Sequence, residues 1–195
     1  MALTESYMLP LGTQASPFSL LNTLTGAHQT LENLKGPQGT LIIFMCNHCP
    51  YVIHLLDDLI LSAKQLYEKK INTLAISSNS IQTHPQDGPK EMKTLALIKN
   101  FPFPYLYDES QETAHRYQAA CTPDLYLFDA TLKLYYRGRY DASRPGNKIP
   151  VSGSDLHFAV DRMLSQKPFT NLQYPSMGCN IKWHPGNSPE ERVKN

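Results

Sequence analysis

Long apolar runs are missing from this chain. No stretch of its 195 residues approaches the ~20 apolar residues that span a bilayer, so a membrane-spanning helix is not expected. Basic residues are missing from the N-terminus, where the first Lys or Arg is Lys35, and neither the charged segment nor the apolar stretch of a secretory signal is present. Excess charge of one sign is missing too. The net charge is +1 with acidic and basic residues interspersed, which argues against an electrostatic surface for nucleic acid or anionic lipid and favours a small molecule or another protein as partner. Cysteine is scarce: four residues do not make a disulfide scaffold, and a reducing, cytoplasmic compartment is the simplest expectation. Internal repeats and low-complexity blocks are also absent.

Two of the four cysteines stand together in Cys46-Asn47-His48-Cys49-Pro50, directly after the apolar run Leu41-Ile42-Ile43-Phe44-Met45. An apolar strand that delivers such a pair into the first turn of a helix places the leading sulfur near unpaired backbone N–H groups and the positive end of the helix dipole. Thiols so placed ionise at pH values of roughly 3.5–7.5 instead of ~8.5, which makes Cys46 the expected nucleophile. The spacing also lets a Cys46–Cys49 disulfide close within one turn. Half of a zinc site is the competing reading, but Cys121 and Cys179 stand alone, and His48 and His54 have no second closely spaced Cys or His couple; no metal is expected.

Along the chain, residues 1–16 show little periodicity and are expected to form an extended or mobile arm. Phe18-Ser19-Leu20 and a second short strand ending near Leu34, joined at Thr25-Gly26-Ala27, make an N-terminal hairpin. A central strand at 40–45 leads into a helix from Pro50 to about Lys70, whose apolar residues from Val52 to Tyr67 share one face. Proline suits the first turn because its missing N–H forfeits no helical bond. A strand at 71–76, a helix at 90–100, an extended Phe101-Pro102-Phe103-Pro104, and a helix from Glu109 to Ala119 follow. Leu125 to Phe128 and Leu132 to Tyr136 alternate as an antiparallel hairpin, and Asp155 to Ser165 forms a closing helix. The proline-bearing residues 166–195 read as an irregular tail. The whole reads as a single α/β domain over 1–195, core about 16–165, with a mixed central sheet covered by helices on both faces and the cysteines at the carboxyl end of the central strand.

These residues carry a resemblance. The form Cys-Asn-His-Cys-Pro-Tyr-Val at 46–52, together with Ala120-Cys121-Thr122-Pro123-Asp124 just before a hairpin, Tyr136-Arg137-Gly138-Arg139 and Pro175-Ser176-Met177-Gly178-Cys179-Asn180-Ile181-Lys182-Trp183, resembles the thioredoxin superfamily. More narrowly it resembles the peroxiredoxin-like thioredoxin proteins, related to alkyl hydroperoxide reductase and thiol-specific antioxidant. The resemblance implies a thioredoxin-like fold and a cis proline at Pro123 beside the active cysteines. Thr122 would then offer backbone groups to an extended substrate segment, and Cys121 would lie close to the pair. It implies that His48 stabilises the Cys46 thiolate and raises the reduction potential. Asn47 and Pro50 complete the motif. Thr40 stands where many thioredoxins carry a buried acid, so Glu91, Asp108 and Asp124 are the substitutes to consider.

Of two assignments of roles the first is expected and the second is its alternative, because the leading cysteine of such a motif in the resembled family is normally the exposed one. In thioredoxin-type exchange Cys46 attacks a protein or small-molecule disulfide and Cys49 resolves the mixed disulfide, with an unidentified dithiol as electron donor and no cofactor beyond the Cys46–Cys49 disulfide. In a peroxiredoxin-like peroxidase Cys49 attacks peroxide, Cys46 resolves, and an arginine such as Arg116, Arg137 or Arg139 stabilises the developing charge. A redox-sensing binding module is the non-enzymatic alternative. Cys121 and Cys179 are further candidate redox thiols, with Cys179 expected to be packed beside Trp183.

Overall fold

The computed structural model describes residues 3–193. Its centre is a seven-stranded mixed sheet. β1 (Leu3–Glu5) stands outside it; β2 (Ser19–Asn22) and β3 (His28–Thr30) form the N-terminal hairpin at one edge. Next to the hairpin come β6 (Tyr105–Tyr107), β5 (Ile71–Ser77) and β4 (Gly39–Phe44), and then β8 (Asp124–Asp129) and β9 (Leu134–Gly138) complete the order β3-β2-β6-β5-β4-β8-β9. The β4–β5 and β5–β6 pairs are parallel and β4–β8 is antiparallel, in register from Gly39 opposite Asp129 to Phe44 opposite Asp124.

The apolar run of β4 is continuous because both faces of the sheet are covered. Leu41 and Ile43 point into a cluster with α2 (Pro50–Glu68), α3 (Pro89–Ile98) and α5 (Ser154–Leu164). Ile42 and Phe44 point the other way, against α1 (Leu31–Leu34) and α4 (Glu112–Arg116). On that second face Phe44, Tyr117, Tyr126 and Phe128 meet edge-on or tilted, with ring centroids 5.8–6.0 Å apart. The β4–α2–β5 unit is thus the scaffold that holds the cysteine motif at the carboxyl end of β4.

Three expectations need correction. Residues 31–34 are helical, not the end of a strand, because Thr30 caps them by accepting the Asn33 N–H. The helix read from Glu109 to Ala119 shrinks to α4, since the buried Asp108 carboxylate takes the Thr113 and Ala114 N–H groups and sets the start of the turn later. The tail is not irregular throughout. β10 (Met177–Asn180) lies between β1 and β7 (Cys121–Thr122) in a second, three-stranded antiparallel sheet, and α6 (Pro189–Arg192) follows. Most of the N-terminal arm is likewise ordered: β1 pairs with β10, Gln14 bridges to Lys133, and Leu9 and Ala15 are buried. Met1 and Ala2 of that arm lie outside the described residues.

Candidate active site

β4 ends at Phe44, and residues 45–49 cross to α2 as a loop. The helix begins at Pro50 with Cys49 as its N-cap, in extended conformation at φ −68° and ψ 120°. The helix terminus therefore falls at the second cysteine, and the dipole argument made for Cys46 applies to Cys49. Neither sulfur is exposed: Cys46 is 1% and Cys49 0% accessible, where the resemblance had the leading cysteine open to solvent. The tail and the loop around Asp87 close over the pair.

The pKa of Cys49 is held well below the thiol range, by the neighbouring Cys46 thiol first and by Thr122 and Cys179 as well, against burial that pushes it up. Cys46 is driven the opposite way, by its hydrogen bond to Cys49, then by burial, then by the nearby Asp87 carboxylate. The two sulfurs titrate as one unit, in which the first proton leaves easily and the second is held tightly. One contact opposes a charge on Cys49: its sulfur lies 3.1 Å from the Thr122 carbonyl, a distance that suits a thiol donor. The helix N-terminus at Cys49 and the lowering effect of its neighbours favour the thiolate there. Cys46 is 3.6 Å from the Thr122 hydroxyl and 3.8 Å from His48 Nδ1.

His48 does not serve Cys46 alone. Its Nδ1 lies 2.6 Å from Oδ2 of Asp87, a fully buried carboxylate. The other Asp87 oxygen accepts the Asn47 N–H at 2.9 Å, and Asn79 donates to Oδ2 at 2.8 Å. Asn47 is pinned further by donating to the Gln86 carbonyl at 2.9 Å and accepting from the Tyr105 hydroxyl at 3.1 Å. The His84 ring stacks on His48 at 4.9 Å. Asp87 is the acid that sequence reasoning missed. Its one signal is the stiff turn Pro85-Gln86-Asp87-Gly88-Pro89 after β5, the strand parallel and adjacent to β4. Cys46, His48 and Asp87 also offer three ligand atoms within 4.8 Å of one another. With the carboxylate already engaged by Asn47, Asn79 and His48, the set is organised as a hydrogen-bond network.

The Thr122–Pro123 bond is cis, and Thr122 touches both sulfurs. Its strand edge is not open to an extended substrate, as the resemblance implied, because β10 already pairs there with Cys179 opposite Thr122 and Asn180 opposite Cys121. Gly178 makes the approach feasible: a Cβ there would lie 2.0 Å from the Thr122 carbonyl oxygen. Cys179 is consequently at the cysteine pair and not beside Trp183, whose ring stacks on His115 at 4.3 Å. Cys121 is buried and faces the Pro123 carbonyl at 3.8 Å, with its thiol pushed up by burial.

The remaining candidates are engaged elsewhere. Arg116 donates to the Pro17 carbonyl, Arg137 to Gln173, and Arg139 to Asp155 while lying over the Tyr174 ring. His54 reaches Ser143. Thr40 accepts the Gly36 N–H, Asp108 caps α4, and Glu91 sits in the first turn of α3. Asp124 is fully buried and burial pushes its carboxyl up to about 7, but its partners are Tyr126 and Ala120, not the reactive sulfurs.

Comparison with known proteins fits this geometry. The AhpC/TSA family model matches residues 11–137. The chain belongs to the AhpC/TSA family. Thiol redox chemistry is the function class this membership carries. An uncharacterized conserved protein from Geobacillus kaustophilus is similar at 48% identity, with 95% of this chain and 98% of that one covered and a TM-score of 0.92. A hypothetical protein from Sinorhizobium meliloti 1021 is similar at 38% identity over 94% of this chain and 100% of that one, TM-score 0.90. Peroxidoxin BcpB from Mycobacterium tuberculosis shares the fold at 15% identity, 80% and 96% coverage and a TM-score of 0.60. No curated protein matches the chain. No helix among the described residues of this AhpC/TSA member is long and apolar enough to cross a membrane.

Proposed function

We propose that this protein is a dithiol redox enzyme that reduces a small hydroperoxide, with Cys49 attacking and Cys46 resolving. The observation that carries this reading is the place of Cys49 at the N-cap of α2, where the helix terminus and its Cys46, Thr122 and Cys179 neighbours hold its pKa low. A thiolate with a lowered pKa is the attacking species in such chemistry. The Cys49 thiolate takes the distal oxygen of the hydroperoxide, the O–O bond breaks, and the products are a Cys49 sulfenic acid and an alkoxide that collects a proton. The Cys46 thiol then displaces the sulfenic oxygen as water and forms the Cys46–Cys49 disulfide. An external dithiol restores the pair by exchange. The burial of both sulfurs favours a small oxidant over a folded protein. The arginines named above do not support the step; the Cys46 thiol lies beside the reacting sulfur and has the Thr122 hydroxyl 3.6 Å from it. The reading needs no cofactor beyond the disulfide, and it takes a cytoplasmic, reducing compartment as the source of the dithiol.

A second reading, thioredoxin-type exchange with Cys46 attacking a disulfide, draws on the 3.1 Å contact that suits a proton on Cys49. Reduced protein mixed rapidly with hydrogen peroxide or with a protein disulfide separates the two. The expected result is faster oxidation by peroxide, abolished in Cys49→Ser and no longer ending in the Cys46–Cys49 disulfide in Cys46→Ser. Faster reaction with the protein disulfide, lost in Cys46→Ser, would replace the first reading by the second.

A further inference from the structure

Two thiols, Cys46 and Cys179, reach Cys49 from different parts of the chain. Cys46 comes from the loop after β4. Cys179 comes from β10, whose backbone is zipped to β7 at Thr122 on one side and to β1 at Leu3 on the other. Cys179 sits opposite Thr122, whose carbonyl lies 3.1 Å from the Cys49 sulfur, and Cys49 and Cys179 pack in the same buried cluster. A disulfide between them requires that the two sulfurs close to ~2.05 Å. The pairing is also specific to this strand: the contact depends on Gly178 lying against the Thr122 carbonyl, where no side chain fits.

We propose that Cys179 is a second resolving thiol, and that a hydroperoxide-derived sulfenic acid on Cys49 is captured by either Cys46 or Cys179, the latter forming a Cys49–Cys179 disulfide that ties β10 to the start of α2. The step is balanced as the first one is: the Cys179 S–H and the Cys49 S–OH lose water and the S–S bond forms. The Cys46 thiol can then attack Cys49 in this disulfide, releasing the Cys179 thiol and yielding the Cys46–Cys49 disulfide with no net change in oxidation state. Cys49 is the shared sulfur in both pairings. Cys179 thereby shortens the life of the sulfenic acid, the species from which further peroxide makes a sulfinic acid.

The inference rests on Cys49 as the oxidised sulfur, so the test uses two oxidants. The Cys46→Ser protein, reduced and with its fold checked by near-ultraviolet circular dichroism, is treated with one equivalent of hydrogen peroxide and separately with diamide, which joins neighbouring thiols without a sulfenic acid. Non-reducing peptide mass mapping reads the products. The expected result is a Cys49–Cys179 peptide pair, seen as the loss of two hydrogens, with both oxidants, and with a further several equivalents of peroxide a rise of sulfinic acid at Cys49 when Cys179→Ser is added. Formation of the pair with diamide but not with peroxide supports the thiol pairing and overturns the peroxide reading. Sulfenic or sulfinic acid at Cys49 with Cys179 still reduced, and no pair with diamide, overturns the role of Cys179 and leaves the peroxide reading standing. Should Cys46→Ser lose its fold, wild-type protein poised in a graded glutathione buffer provides the measurement: both Cys46–Cys49 and Cys49–Cys179 pairs are expected, and Cys46–Cys49 alone would sink the proposal.

Discussion

The charge at a buried thiol pair is set by which neighbours can donate to it and which repel it, and here the two influences fall on different sulfurs. Cys49 caps the helix and its neighbours lower its pKa; Cys46 faces the Asp87 carboxylate, which helps keep its proton in place. Replacing that carboxylate by an amide isolates the electrostatic part. Asp87→Asn keeps an acceptor for the Asn47 N–H but removes a charge within a few ångströms of Cys46, so the second thiol ionisation is expected to fall. At the effective dielectric of such sites the change is on the order of one to two pH units. Thiolate absorbance followed against pH in the reduced protein measures it. An unmoved second step would mean that the Asp87 charge is not felt at Cys46 and that burial and the Cys49 hydrogen bond hold the proton alone.

Elements that carry their own pattern were legible in the sequence, and those stabilised by distant partners were not. α2 declares itself through a one-sided apolar face and a proline in its first turn, and β4 through an unbroken apolar run. β10 has no such mark. Met177-Gly178-Cys179-Asn180 lacks alternation, and it is a strand only because β1 and β7, remote in sequence, supply both its partners. The site divides the same way: the cysteine couple is a local motif, while Asp87 and Cys179 reach it through the fold. At this scale the glycine of β10 is the testable feature. Gly178→Ala would set a methyl group against the Thr122 carbonyl, where backbone and not a flexible side chain must move. Overpacking of this kind costs about 1–3 kcal/mol, and the strand is expected to pull away from β7. Alkylation of Cys46 and Cys49 by iodoacetamide in native conditions should then speed up while the melting curve shifts only modestly. Unchanged alkylation with a normal fold would show that β10 is not what shields the sulfurs.

For the molecule as a whole, the two sheets meet at the segment 120–124, where Cys121 and Thr122 belong to one and Asp124 opens β8 of the other. Asp124 sits at that junction fully buried, its Oδ2 accepting from the Tyr126 hydroxyl at 3.0 Å and the Ala120 N–H at 3.3 Å. These bonds favour the carboxylate but lose to burial, and the pKa is pushed up to about 7. Because an unfolded aspartate titrates near ~3.9, the native state holds one more proton than the unfolded chain between those pH values. The contribution of this group is therefore fully present below ~pH 4 and is lost as pH rises towards 7, at roughly 1.4 kcal/mol per pH unit and on the order of 4 kcal/mol in total. Asp124→Asn retains an acceptor for Tyr126 and Ala120 and removes the titration. Urea unfolding at pH 4.5, 6 and 8 should show the variant gaining on the wild type step by step as pH increases, with the difference levelling above pH 7. A constant difference across that range would mean that Asp124 enters the fold already ionised, and that its two hydrogen bonds outweigh the cost of burying the charge.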